Sequence, residues 1–101
     1  MLKQGHAKSN YIEFNYSKKA KSFFNKHEKV RDRFEDNIEN YYLKGKIEGI
    51  DIKKMSGSSK WIRMRIDSYR IIYSIIKNRL VIIEVMLAGN RGDVYKQYNK
   101  R

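Results

Sequence analysis

From residue 61 onward the chain alternates with a period of two, and this constrains the fold more than any other feature. Trp61, Arg63 and Arg65 interleave with Ile62, Met64 and Ile66, the pattern of a half-buried strand. Two further β-rich runs follow, over 69–76 and 80–88, separated by the turn pairs Asp67-Ser68 and Lys77-Asn78. Three such runs with two-residue connections predict an antiparallel meander. Upstream, residues 10–16 set Ile12, Phe14 and Tyr16 against Tyr11, Glu13 and Asn15, which predicts a first strand with one apolar face. The period then lengthens. After a candidate N-cap at Ser17, residues Ala20, Phe23, Phe24 and His27 fall at i, i+3, i+4 and i+7, the spacing of one helix face. Val30, Phe34, Ile38 and Tyr41 form a second helical stripe, broken by Gly45 and Gly49. So short a join predicts an antiparallel helical hairpin.

The remaining segments carry weaker signals. Residues 1–9 read as a flexible leader. Residues 44–58 read as loop, with a strand-like piece at 50–53. Gly89 and Gly92 bracket a turn before a short basic tail with tyrosines, read as a helix. The expected class is α+β: an N-terminal strand, a helical hairpin, then a three-stranded meander, forming one twisted sheet with the hairpin on one face. A chain of 101 residues has room for one domain, expected over 10–101.

Composition excludes several functions. The chain has no cysteine, which removes disulfide frameworks and thiolate metal sites. Its first ten residues are polar and lack the apolar stretch of a secretory signal. The run at 80–88 contains Glu84 and is far shorter than the ~20 residues a membrane helix needs. A soluble, cytoplasmic protein is expected. The formal net charge is +12, with +4 carried by residues 1–50 and +8 by residues 51–101. So large a charge opposes compaction, and a polyanionic partner is its natural counterpart. Solubility alone is the plainer account of the charge.

If Ile62, Met64 and Ile66 pack against the helices, Trp61, Arg63 and Arg65 occupy the other face of their strand. Unpartnered guanidinium groups are costly to bury, so that face should meet water or an anion. Arg70 lies just across the turn from Arg65, Arg91 follows the last run, and Lys53, Lys54 and Lys60 enter the strand from its N-terminal side. Arginine forks bind phosphate oxygens bidentately. Trp61, Tyr95 and Tyr98 offer flat faces for RNA bases, worth ~1–3 kcal/mol each. Taken singly, arginines on a strand are as often solvated or salt-bridged. His6 and His27 read as tail and helix junction, no cluster has metal-ligand spacing, and GSSK at 57–60 is not a phosphate-binding loop. No cofactor is expected.

Three segments, DIKKMSG at 51–57, RMRIDSYRIIY at 63–73 and LAGNRGDVY at 87–95, together with FNYSKKAKSFFNKH at 14–27, resemble the RelE/ParE superfamily of bacterial type II toxins, and its RelE-like branch most. The resemblance spans residues 10 to 97, and the order of the pieces is more specific than any one of them. It implies a ribosome-dependent mRNA endonuclease acting in the A site without metal. The ribose 2′-hydroxyl would attack the adjacent phosphate, giving a 2′,3′-cyclic phosphate and a 5′-hydroxyl. Arg63, Arg70 and Arg91 match positions that bind or stabilise the phosphate, and Tyr95 a tyrosine that orients the nucleophile or stacks on a base. Lys53, Lys54, Lys60, Trp61, Arg65 and Tyr98 are the expected RNA contacts. Where some relatives carry a lysine pair, this chain has Trp61 and Arg63. No histidine follows His27, which leaves Lys53, Lys54, Lys60 and Asp51 as candidates for the base. An acidic antitoxin is the implied partner. The alternatives are a ParE-like inhibitor that binds DNA gyrase, and a non-toxic basic RNA-binding domain.

Overall fold

The computed structural model describes residues 11–57, 60–77 and 79–100 in full and 2–9 as backbone. Its elements are β1 (Leu2–Ser9), β2 (Ile12–Ser17), α1 (Lys18–Lys26), α2 (Glu28–Tyr42), β3 (Asp51–Lys54), β4 (Ile62–Ile66), β5 (Tyr69–Lys77), β6 (Val81–Asn90) and α3 (Arg91–Asn99). The strands form one sheet in the order β1-β2-β6-β5-β4-β3. The α+β class and the run of strand, helical hairpin, meander and C-terminal helix are as the sequence predicts.

The first strand and the meander are joined through β2 and β6, which pair in parallel, with Ile12 opposite Val81 and Tyr16 opposite Val85. That places the last strand in the middle of the sheet. Ile12, Phe14, Met64, Ile66, Ile71, Tyr73, Ile83 and Val85 are buried against Ala20 and Phe24 of α1 and Phe34 and Ile38 of α2. Phe23 and Val30 of the predicted stripes pack against this core as well, but His27 is the cap between the helices and Tyr42, not Tyr41, takes the last core position of α2. Ser17 caps α1, its hydroxyl accepting from the Ala20 N–H at 3.1 Å.

The sheet is wider than the meander and first strand alone, because a further strand pairs at each edge. Residues 2–9, read as leader, pair antiparallel with β2. The piece read as 50–53 is β3, which pairs with β4 from Asp51 opposite Arg65 to Lys54 opposite Ile62. Edge pairing needs only backbone donors and acceptors, so a polar segment can supply it. Asn78 of the second turn pair, and Ser58 and Ser59, lie outside the described residues.

The second face departs from expectation. Opposite Ile72-Tyr73 of β5 the register slips, with Ile72 facing Leu87 and Tyr73 facing Val85. Met86 is therefore the extra residue of a β-bulge, and a bulge reverses which face the following side chains take. Leu87 joins Ile72 on the face away from α1 and α2, where both pack with Val94 and Tyr98 of α3. The face expected to lie open is half covered by this second apolar cluster. Gly92 lies inside α3 rather than bracketing a turn.

Candidate nucleic-acid interface

Strand register builds a cationic surface beside α3. Residues directly opposite in a ladder share a face. Arg63 is opposite Lys53 and Ile72, and Arg65 is opposite Asp51 and Arg70. One face therefore carries Lys53, Arg63, Arg65 and Arg70, with Asp51 as its acid. The α3 helix closes one side. Asn90 caps it, accepting from the Asp93 N–H at 2.9 Å, and donates its own amide to the Asp93 carboxylate at 3.0 Å. The helix then buries Val94 and Tyr98 in the second cluster and turns Tyr95 toward β3.

Between β3, β4 and α3 lies a cleft of about 340 Å³ lined by Lys53, Lys54, Met55, Ser56, Arg63, Tyr95, Tyr98 and Asn99. Three cations and two phenol rings face one space. Arg63 is the most enclosed of the cations, its side chain 13% exposed. Its Nη2 donates to Asp51 Oδ1 at 2.6 Å. Its Nε is buried with no hydrogen-bond partner among the described residues.

Of the expected site residues, Lys60, Trp61, Arg65, Arg70 and Arg91 are not among those lining the cleft. The Arg91 guanidinium stands over the Tyr95 ring at 5.4 Å, within cation–π range, so it borders the cleft through that ring. Lys60 stands over Trp61 at 4.9 Å, and Trp61 packs against the second apolar cluster. Tyr98 lines the cleft but is itself only 8% exposed, so it is a wall of the cleft more than a platform.

Arg70 differs most from its expected role. It is 7% exposed, and its Nη1 donates to the carbonyls of Asp67 at 3.3 Å and Tyr69 at 3.1 Å. Arg65 reaches the same Asp67 carbonyl at 3.4 Å. Arg65 and Arg70 are cross-strand neighbours of like charge, an unfavourable pairing, and the shared carbonyl offsets it. These two arginines lie at the turn end of the sheet and do not line the cleft.

Sequence reasoning missed Met55, Ser56 and Asn99 as lining residues and the apolar cluster beneath them. The signal for the cluster was present: Val94 and Tyr98 stand at i and i+4 after an Asn-x-x-Asp cap. Among the described residues, no three His, Cys, Asp or Glu side chains gather as a metal-ligand group, and no helix is long and apolar enough to cross a membrane.

The fold has a precedent among solved structures. A chain of the RelB–RelE antitoxin–toxin complex from Methanococcus jannaschii superposes with a TM-score of 0.51 at 22% identity, covering 82% of this chain and 96% of that one. No family model matches the sequence. No curated protein matches it.

Proposed function

We propose that this protein is the toxin of a type II toxin–antitoxin pair, an endoribonuclease that cuts mRNA in the ribosomal A site. What carries the reading is the cleft that gathers Lys53, Lys54 and Arg63 beside Tyr95, on a fold like that of a chain in the RelB–RelE complex. Cleavage by the ribose 2′-hydroxyl makes one bond to phosphorus and breaks another. The hydroxyl gives its proton to a base, its oxygen closes the 2′,3′-cyclic phosphate, and the departing 5′-oxygen takes a proton from an acid. Negative charge grows on the non-bridging oxygens meanwhile, and fixed cations at that point lower the barrier.

In this reading Arg63 meets the scissile phosphate. Arg91, above Tyr95, meets the same phosphate or its neighbour, and the exposed edge of Tyr95 stacks on a base. Lys53 and Lys54 are the candidates for proton transfer that face the cleft. Arg70 supports the turn and not the reaction. An acidic antitoxin with a segment that orders on binding would cover the basic face.

The test is primer extension on mRNA from cells after brief induction, comparing wild type with Arg91→Ala. New ends within translated frames, absent from the variant, are the expected result. Growth arrest with intact message would overturn it and favour gyrase, which a supercoiling assay reads directly. Failure of a co-expressed neighbouring protein to co-purify or restore growth would remove the antitoxin.

A further inference from the structure

We propose that Asp51 is a positioning residue that fixes the Arg63 guanidinium in the cleft, so that its fork meets an RNA phosphate in one orientation. The kinetic part of this proposal rests on the nuclease reading above; the positional part does not.

The register makes the contact unusual. Asp51 lies directly opposite Arg65, and Lys53 directly opposite Arg63. The Asp51–Arg63 pair therefore runs diagonally across the two strands, at 2.6 Å. Lys53 and Arg63 are like charges in directly opposed positions, which repel. The diagonal bond draws the guanidinium along the strand, away from Lys53. The Nε of that group is buried with no hydrogen-bond partner among the described residues. An arginine side chain carries much rotamer freedom, and one short charge-assisted bond removes most of it.

The energetics carry orientation and some stability together. Asp51 is 48% exposed, so water screens its share of the pair, while Arg63 at 13% is largely enclosed, and breaking the pair also costs some stability. A carboxylate beside a phosphate site also opposes anion binding. Asp51 thus weakens affinity while ordering the group that provides it. Its removal should tighten binding and slow the reaction, a combination that simple loss of structure does not produce.

The experiment uses the full chain with Asp51→Asn and Asp51→Glu. Binding of a single-stranded RNA oligonucleotide is followed by fluorescence anisotropy across a salt series. Single-turnover cleavage is followed on ribosomes carrying a defined message. The Arg63 side-chain N–H signals are followed by NMR. For Asp51→Asn, tighter binding is expected, with a slope of log K against log salt steeper by up to about 0.7, the share of one more neutralised phosphate on a single strand. Cleavage should fall by roughly a hundredfold, the scale of a misplacement of about 1 Å. Restricted rotation of the Arg63 guanidinium, present in wild type, should be lost. Asp51→Glu should restore wild-type affinity and part of the rate. Unchanged Arg63 signals in Asp51→Asn overturn the positional claim, and an unchanged cleavage rate overturns its role in the reaction. Absence of cleavage by wild type removes the nuclease reading, and the Arg63 signals and salt slope still decide whether Asp51 holds the fork.

Discussion

Three guanidinium groups converge on Asp67. Its carbonyl accepts from Arg65 and Arg70, and its carboxylate accepts from Arg33 of α2 at 2.7 Å. The residue has φ of 54°, in the left-handed region, where side chains other than glycine's cost of order 1–3 kcal/mol. The Arg33 pair is more than half exposed at both ends and contributes at most about 1 kcal/mol. Asp67→Gly trades one small loss for one small gain and should stay within about 1 kcal/mol of wild type in urea unfolding. Asp67→Val keeps neither advantage and should lose about 2 kcal/mol or more. Core tyrosines give a second prediction. Burial, and then its hydrogen-bonded neighbour Tyr42, push the Tyr73 phenol well above its ordinary range. Tyr16 is raised by burial and by the Glu35 carboxylate that accepts its hydroxyl. The folded state holds these protons when the unfolded chain releases them. Their stabilisation is full below pH ~10, where an unfolded tyrosine ionises, and is lost as pH rises above it. Between pH 10 and 11, Tyr73→Phe should lose stability less steeply than wild type, by about 1 kcal/mol over that unit.

Ser17 links two elements with one hydroxyl. It accepts from Ala20 N–H at the start of α1 and donates to the Met86 carbonyl at 2.5 Å. Met86 is the bulged residue, so its carbonyl meets an irregular stretch of ladder. Ser17→Ala removes a cap worth about 1 kcal/mol and a bond that satisfies a carbonyl at the bulge, and should cost about 2 kcal/mol in urea unfolding. The capping half of this role is legible in the sequence, as are both helix stripes and the alternation of β2 and β4. The bulge half is not, because 80–88 reads as a continuous apolar run with or without a face reversal. The site divides the same way. Arginines on one face of β4 follow from alternation, but the diagonal to Asp51 depends on the register of β3, and the burial of Arg70 on how its side chain folds back onto the turn carbonyls, neither of which a local period encodes. Residues 2–9 were hidden for a related reason: edge pairing uses backbone groups, which leave no mark in the side-chain pattern.

Charge is unequally shared among the elements. In α2, Glu28, Asp32, Glu35, Asp36 and Glu39 outnumber Lys29, Arg31 and Arg33, α1 carries lysines and no acid, and Lys53, Lys54 and Arg63 line the cleft beside the sheet's other face. A polyanion should therefore approach from the cleft side, and the salt dependence of binding should trace to it. Lys53→Ala, Lys54→Ala and Arg63→Ala should each flatten the slope of log K against log salt for single-stranded RNA by about 0.7. Lys29→Ala, on α2, should leave it unchanged in the same titration. Strand order adds a constraint in time. The strand at the centre of the sheet, β6, is the last of its six strands in chain order, and its partner β2 precedes both helices. Until β6 emerges, Ile12 and Phe14 have a neighbouring strand on one side only, β1, and the core stays open toward the meander. A chain interrupted before that point lacks α3 and the cleft beside it, so the cationic cleft forms only after β6 and α3 have both been made.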